Sequence, residues 1–179
     1  MINWLFRLFL AFNSTSLLLV VYWIKSGITL PILPPCFHIP NYVSYLIYIL
    51  GMLLLTYLSL LCSKFLGKDA MNQGDIENVE YANDAFLPSY LGYFFVALDV
   101  PNIETLCFVY PLIFVFTFLS QTLYFNPLFL VFGYHFYNLT TANNVRVFMI
   151  TRKKFKDPKT ISFPSLKRIN DFTFIDNEA

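Results

Sequence analysis

The sequence predicts an integral membrane protein of the α-helical class. Four transmembrane helices are expected over residues 1–125, and a small cytoplasmic, β-rich C-terminal unit over residues 126–179. Three observations predict this. Charged residues make up 13% of the chain and hydrophobic residues 57%, whereas soluble domains carry about 25% charged residues, so there is too little charge to dress a water-exposed surface. Long apolar runs recur at membrane-spanning length. Eight of the twelve Lys and Arg fall after Asn126, so positive charge collects in one terminal unit. The net charge of +1 says little beside that distribution.

The first run, Trp4–Ile24, is apolar over about 20 residues. That exceeds the 7–15-residue apolar core of a signal peptide, and no small-residue cleavage site follows, so a retained helix is expected. The next stretch, "SGITLPILPPCFHIPNY", holds Pro31, Pro34, Pro35 and Pro40 and is no helix. It reads as a stiff apolar loop on the helix ends, or as a surface that meets something outside. Tyr42–Cys62 is the second run of spanning length, and Thr105–Phe125 is another; each suffices for about 30 Å of hydrocarbon.

Between them lies a weaker candidate, Ala85–Val100, bounded by Asp84 and Asp99, with Pro88 in its first turn, where proline is tolerated. Sidedness decides it. Lys64 and Lys68 follow the second span, the connections at Lys25–Asn41 and Asp99–Glu104 hold only Lys25, and the tail holds eight basic residues. The positive-inside rule puts the Lys64 segment and the tail on the cytoplasmic side. An even number of crossings must separate them, so Ala85–Val100 is expected to span, with both termini cytoplasmic. Within Ser63–Asp84, Asp69, Asp75, Glu77, Glu80 and Asp84 oppose two lysines. This acidic loop is expected either to be solvated or to pair with the basic tail.

No ionisable residue falls in the middle of a span, which argues against a pump or a coupled transporter. Polar residues do occur there. Asn13 and Ser16 lie in "FNSTS" near the centre of the first helix, and Thr117 and Gln121 sit low in the last. Packing between helices or subunits is the expectation; the rival is the polar lining of a pore. Cys36, Cys62 and Cys107 lack the four-ligand spacing of structural zinc and are expected as small buried hydrophobes. His135 is expected to be satisfied within the tail. No Ser-centred elbow, phosphate-binding Gly-rich loop or HExxH is present, so neither an enzyme nor a cofactor or metal site is expected.

After Asn126-Pro127, which interrupts the last run, Leu128–Leu139 is too short to span. Its aromatic residues favour a strand, although an Asn cap followed by Pro also suits a short helix. "NLTTANN" reads as a turn, while "VRVFMIT" and "DFTFID" alternate as strands. The expectation is a three-stranded antiparallel sheet, the least that holds with one apolar face. Arg152, Lys153, Lys154 and Lys156 lie between the last two strands. They are read as steering a partner or holding the sheet to anionic lipid, rather than binding nucleic acid directly.

The four-helix layout, with "NPLFLVFGYHFYNLTTANNVRVFMITRKKF" and "RINDFTFID" after it, resembles the KwaA family, the membrane subunits of Kiwa bacterial anti-phage defence systems. The resemblance implies a homo-oligomer, a tetramer, in the bacterial inner membrane. It also implies a sensor or scaffold that holds a soluble DNA-binding effector, KwaB, on its cytoplasmic face. A channel or pore-forming effector is the alternative.

Overall fold

A computed structural model describes residues 2–30, 40–84, 87–120, 126–155, 158 and 161–176. Four helices form a bundle: α1 (Ile2–Lys25), α2 (Asn41–Ser63), α3 (Leu87–Asp99) and α4 (Ile103–Ser120). Among the described residues, three are long and apolar enough to cross a membrane, Asn3–Lys25, Asn41–Ser63 and Ile103–Ser120. The weak fourth candidate does form a helix, but α3 has 13 residues and extends only about 20 Å, short of the hydrocarbon thickness.

Helix α1 is the hub and packs against α2, α3 and α4. Small residues on its faces allow this. Ala11, Ser14 and Thr15 are buried, and short side chains let helix backbones approach. At one end of the bundle the Lys25 ammonium donates to the carbonyls of Leu98 and Val100. A cation there offsets the partial negative charge at the C-terminus of α3. The α3–α4 connection is short because Asn102 caps α4: its carboxamide oxygen accepts from the Thr105 amide at 2.9 Å.

At the other end sits a six-stranded sheet. Its strands are β1 (Lys68–Met71), β2 (Ile76–Tyr81), β3 (His135–Thr141), β4 (Arg146–Thr151), β5 (Phe163–Arg168) and β6 (Thr173–Ile175), in the order β1-β5-β6-β4-β3-β2. The expected sheet of three antiparallel strands from the tail alone is thus corrected. Two strands come from residues 68–81, the stretch expected as an acidic loop within the helical domain. β6 pairs with β4 in parallel, because β5 lies in the connection and returns the chain to the same direction. β5 itself had no sequence signal. Its Pro164 falls opposite the irregularity between Asp69 and Met71, the kind of place where a sheet accommodates proline.

The sheet cannot be flat. Five inter-strand steps span about 24 Å, yet the edge strands β1 and β2 are joined only through residues 72–75. That link is a tight turn: the Asn72 amide donates to the Asp75 carboxylate at 2.7 Å, and Gly74 takes a positive φ of 93°. The two edges are therefore drawn round toward each other. The concave side encloses Ile76, Tyr137, Leu139, Val147, Met149 and Phe163. The opposite side presents Phe136, Ile150 and Ile175 to the bundle, in one continuous core with Phe6, Leu10 and Tyr90.

Leu128–Leu139 was expected as one strand. It is instead a one-turn helix, α5 (Leu128–Val131), followed by β3 from His135. The Asn126 carboxamide oxygen accepts from the Leu128 amide at 3.0 Å. Gly133, with φ 78°, lets the chain reverse, and the Tyr134 amide returns to the Phe129 carbonyl. Local capping chemistry overrides the strand preference of the aromatic residues. Cys62 and Cys107 are free and exposed on the helix exterior rather than buried; Cys36 lies outside the described residues.

Candidate functional site

Two groups of polar side chains stand out, one inside the bundle and one at the edge of the sheet core. The first centres on Thr56, which is fully buried in α2. Its hydroxyl accepts from Asn13 Nδ2 on α1 at 3.3 Å and from Asn126 Nδ2 at 3.1 Å, and donates to the Met52 carbonyl at 2.9 Å. Asn126 is only 2% exposed. The residue that opens the tail is therefore held well inside the bundle. Leu128 packs beside Val20, Tyr48 and Met52, so the chain dips between the helices before it joins the sheet.

Two of the other expected polar residues find a partner within the chain. Ser16 donates to the Asn13 carbonyl at 2.7 Å, and Thr117 pairs with the Tyr93 hydroxyl on α3 at 3.0 Å. Gln121 lies outside the described residues. Thr56 escaped sequence reasoning, although a signal existed. Ser44, Tyr48, Met52, Thr56, Ser59, Leu60 and Ser63 are the buried face of α2, and they recur at helical spacing. The stripe that faces inward is the more polar one.

The second group is the basic cluster, which the structure divides. Lys153 Nζ lies 3.2 Å from the Asp176 carboxylate. Asp176 is 2% exposed and also accepts from the Thr151 hydroxyl at 3.1 Å. The Arg152 guanidinium lies over the Tyr134 ring, 4.6 Å from its centre. Burial raises the Tyr134 phenol above its usual range, Arg152 opposes that, and Asp176 adds to it. Lys154 projects into solvent, and Lys156 lies outside the described residues. Three of the four charges, alike in sequence, thus become a lysine that neutralises a buried carboxylate, an arginine on an aromatic face and an exposed lysine. His135 stands near Asn83 Nδ2, at 3.1 Å.

The bundle surface completes the picture. Phe108 is 81% exposed, and Leu112, Phe116 and Leu119 on α4 and Leu46, Leu50 and Leu54 on α2 are also exposed. Apolar patches on water-soluble monomers rarely exceed a few hundred Å². Apolar exteriors around polar helix contacts, with three helices long and apolar enough to cross a membrane among the described residues, are the features of helical membrane proteins with an extramembrane unit. The family model of the anti-phage protein KwaA matches residues 6–175. The chain therefore belongs to the KwaA family, and its role lies in defence against phage. No curated protein and no solved structure matches it.

Proposed function

We propose that this chain is an inner-membrane sensor and scaffold of the defence complex, which recruits a soluble DNA-binding effector, KwaB, to its sheet on the cytoplasmic face. All four helices cross the bilayer in this reading, both termini are cytoplasmic, and the working unit is a homotetramer. The pairing of β1 with β5 and of β2 with β3 supports the crossing pattern. It brings the start of α3 and the chain from Asn126 onward to one end, as expected if α3 runs out and α4 back. Lys25 lies at the far end, whereas Lys64, Lys68 and the tail's basic residues gather at the sheet end, the cytoplasmic one by the positive-inside rule.

The observation that carries the proposal is the shared core. Phe129, Phe136, Ile150 and Ile175 pack in one cluster with Leu10 and Tyr90. A change in helix packing therefore reaches the docking unit directly, which a scaffold that responds to the envelope requires. The chain supplies no catalytic step; the effector acts on DNA. Exposed Lys154 steers docking, since rim charges govern encounter more than final affinity.

The test is co-purification of the effector with the chain from solubilised membranes, together with plaque counts. Lys154→Glu is expected to slow capture most at low salt, because such charges are screened beyond about 8 Å at physiological salt. Effector that stays wholly soluble beside the intact, inserted chain would overturn the proposal. Ion conductance by the reconstituted chain alone would favour the pore-forming alternative.

A further inference from the structure

Two apolar cavities open on the seam between α1 and α2. One, of about 290 Å³, is lined by Leu5, Phe6, Phe9, Cys62 and Phe65. The other, of about 350 Å³, includes Phe12, Ser16, Gly51 and Leu55 in its lining. On α1, positions 5, 9, 12 and 16 are successive helical neighbours on one face. On α2, positions 62, 55 and 51 run the opposite way. The cavities therefore follow one antiparallel seam, which starts at the sheet end and reaches the far half of the bundle at Trp23 and Tyr48.

The mouth of this seam is electropositive. Lys64 and Lys68 are exposed on either side of Phe65, itself 79% exposed. Across the β1–β5 ladder, Lys167 faces Lys68 directly, and its ammonium turns to the Leu66 carbonyl at 3.1 Å. Like charges paired across a ladder are unfavourable. None of these three lysines forms an ion pair among the described residues, where the salt bridges are Lys153–Asp176 and Arg168–Asp171. The β1–β5 edge is also fixed beside the start of α1, because Asn3 Nδ2 donates to the Arg168 carbonyl. Three cations that form no ion pair among the described residues thus sit where an apolar groove begins.

We propose that this seam binds one anionic phospholipid of the leaflet on the sheet's side. Its phosphate is held by Lys64 and Lys68, with Lys167 behind them, and one acyl chain lies along Phe9, Cys62 and Phe12. The missing element in the groove is apolar and the missing element at its mouth is negative. A single phospholipid supplies both, whereas a helix from a second copy supplies only the first. The site rests on the membrane-inserted reading above.

The test places the full chain in lipid nanodiscs of equal phosphatidylglycerol and phosphatidylcholine, with native mass spectrometry of the lipid retained on release. Co-elution with discs reports insertion separately, so failure to enter discs would sink the membrane reading itself and the site with it. For the inserted chain, about fivefold enrichment of phosphatidylglycerol is expected, from the attraction of basic residues to anionic lipid. Lys64→Gln with Lys68→Gln is expected to remove the enrichment at unchanged subunit mass. Cys62→Trp, which fills the lower cavity, is expected to reduce retention of both lipids. Equal retention of the two lipids, or enrichment that survives the double substitution, would overturn the site. So would a Cys62→Trp chain that keeps its lipid but loses its subunit partners, since a second copy would then occupy the seam.

Discussion

Replacing Thr56 with Val removes one hydroxyl from the centre of the bundle and leaves the shape of the side chain nearly unchanged. Cavity formation therefore contributes little, and the effect is almost purely one of hydrogen bonding. In the parent chain that hydroxyl satisfies Asn13 Nδ2 and Asn126 Nδ2, and all three residues are buried. A buried donor left without an acceptor costs about 1–3 kcal/mol in water-soluble proteins, but polar contacts between membrane helices average about 0.6 kcal/mol. Two donors left without their shared acceptor therefore give an expected destabilisation of about 1–3 kcal/mol. Unfolding in mixed micelles of dodecyl sulfate and a mild detergent measures it. Because Asn126 ties the tail to α2, amide exchange at residues 128–136 should also speed up. A cycle with Asn126→Ala should give a coupling of about 0.5–1.5 kcal/mol. A Thr56→Val chain within about 0.3 kcal/mol of the parent, with unchanged exchange, would refute the reasoning.

Three further outcomes are expected. Lys153→Ala strips the buried Asp176 of its cation and should cost the sheet about 1–3 kcal/mol, toward the lower end because the ammonium is partly exposed; thermal unfolding followed at the sheet checks this, and no shift would mean that Thr151 suffices. The phenols of Tyr134 and Tyr137 are raised, chiefly by burial. The unfolded chain then loses these protons at lower pH than the folded one, so stability should fall as pH rises above about 10, and a sheet equally stable at about pH 9 and about pH 11 would contradict it. A periplasm-active reporter fused after Leu30 should be active and one fused at the C-terminus silent; an active C-terminal fusion would overturn the four-crossing topology.

How much of this was legible in the sequence depended on whether the signal was local. The long helices announced themselves by length, and Arg146–Thr151 and Thr173–Ile175 by β-branched and aromatic residues. The alternation in "VRVFMIT" is incomplete for a reason visible in the fold. Val147 and Met149 point into the sheet's own core, while Ile150 packs toward the bundle, so both faces are apolar. The acidic strands of residues 68–81 looked like loop because edge strands carry charge as protection. Their partners lie about 60 to 100 residues away, beyond any local pattern. The same holds for the polar centre. Asn13 was visible as an oddity in an apolar run, but nothing local says that Thr56 and Asn126 converge on it. In the basic cluster the sequence shows charge, and only the fold shows that Asp176 consumes part of it.

The origin of β1 and β2 between the second and third helices has a consequence for how the molecule is made. These two strands emerge from the ribosome with nothing to pair with, because β3 to β6 are synthesised only after the hairpin of α3 and α4. The sheet can close only if that hairpin has delivered the chain back to the face it left. In that four-crossing reading, a copy inserted with α3 or α4 stranded on the wrong side would hold β1 and β2 on one face of the bilayer and the other four strands on the opposite face, with unpaired backbone exposed to proteases on both. In the four-crossing reading proposed above, closure of the sheet acts as an assembly checkpoint: a chain that has folded its β unit has, by that fact, threaded its helices in the proposed order.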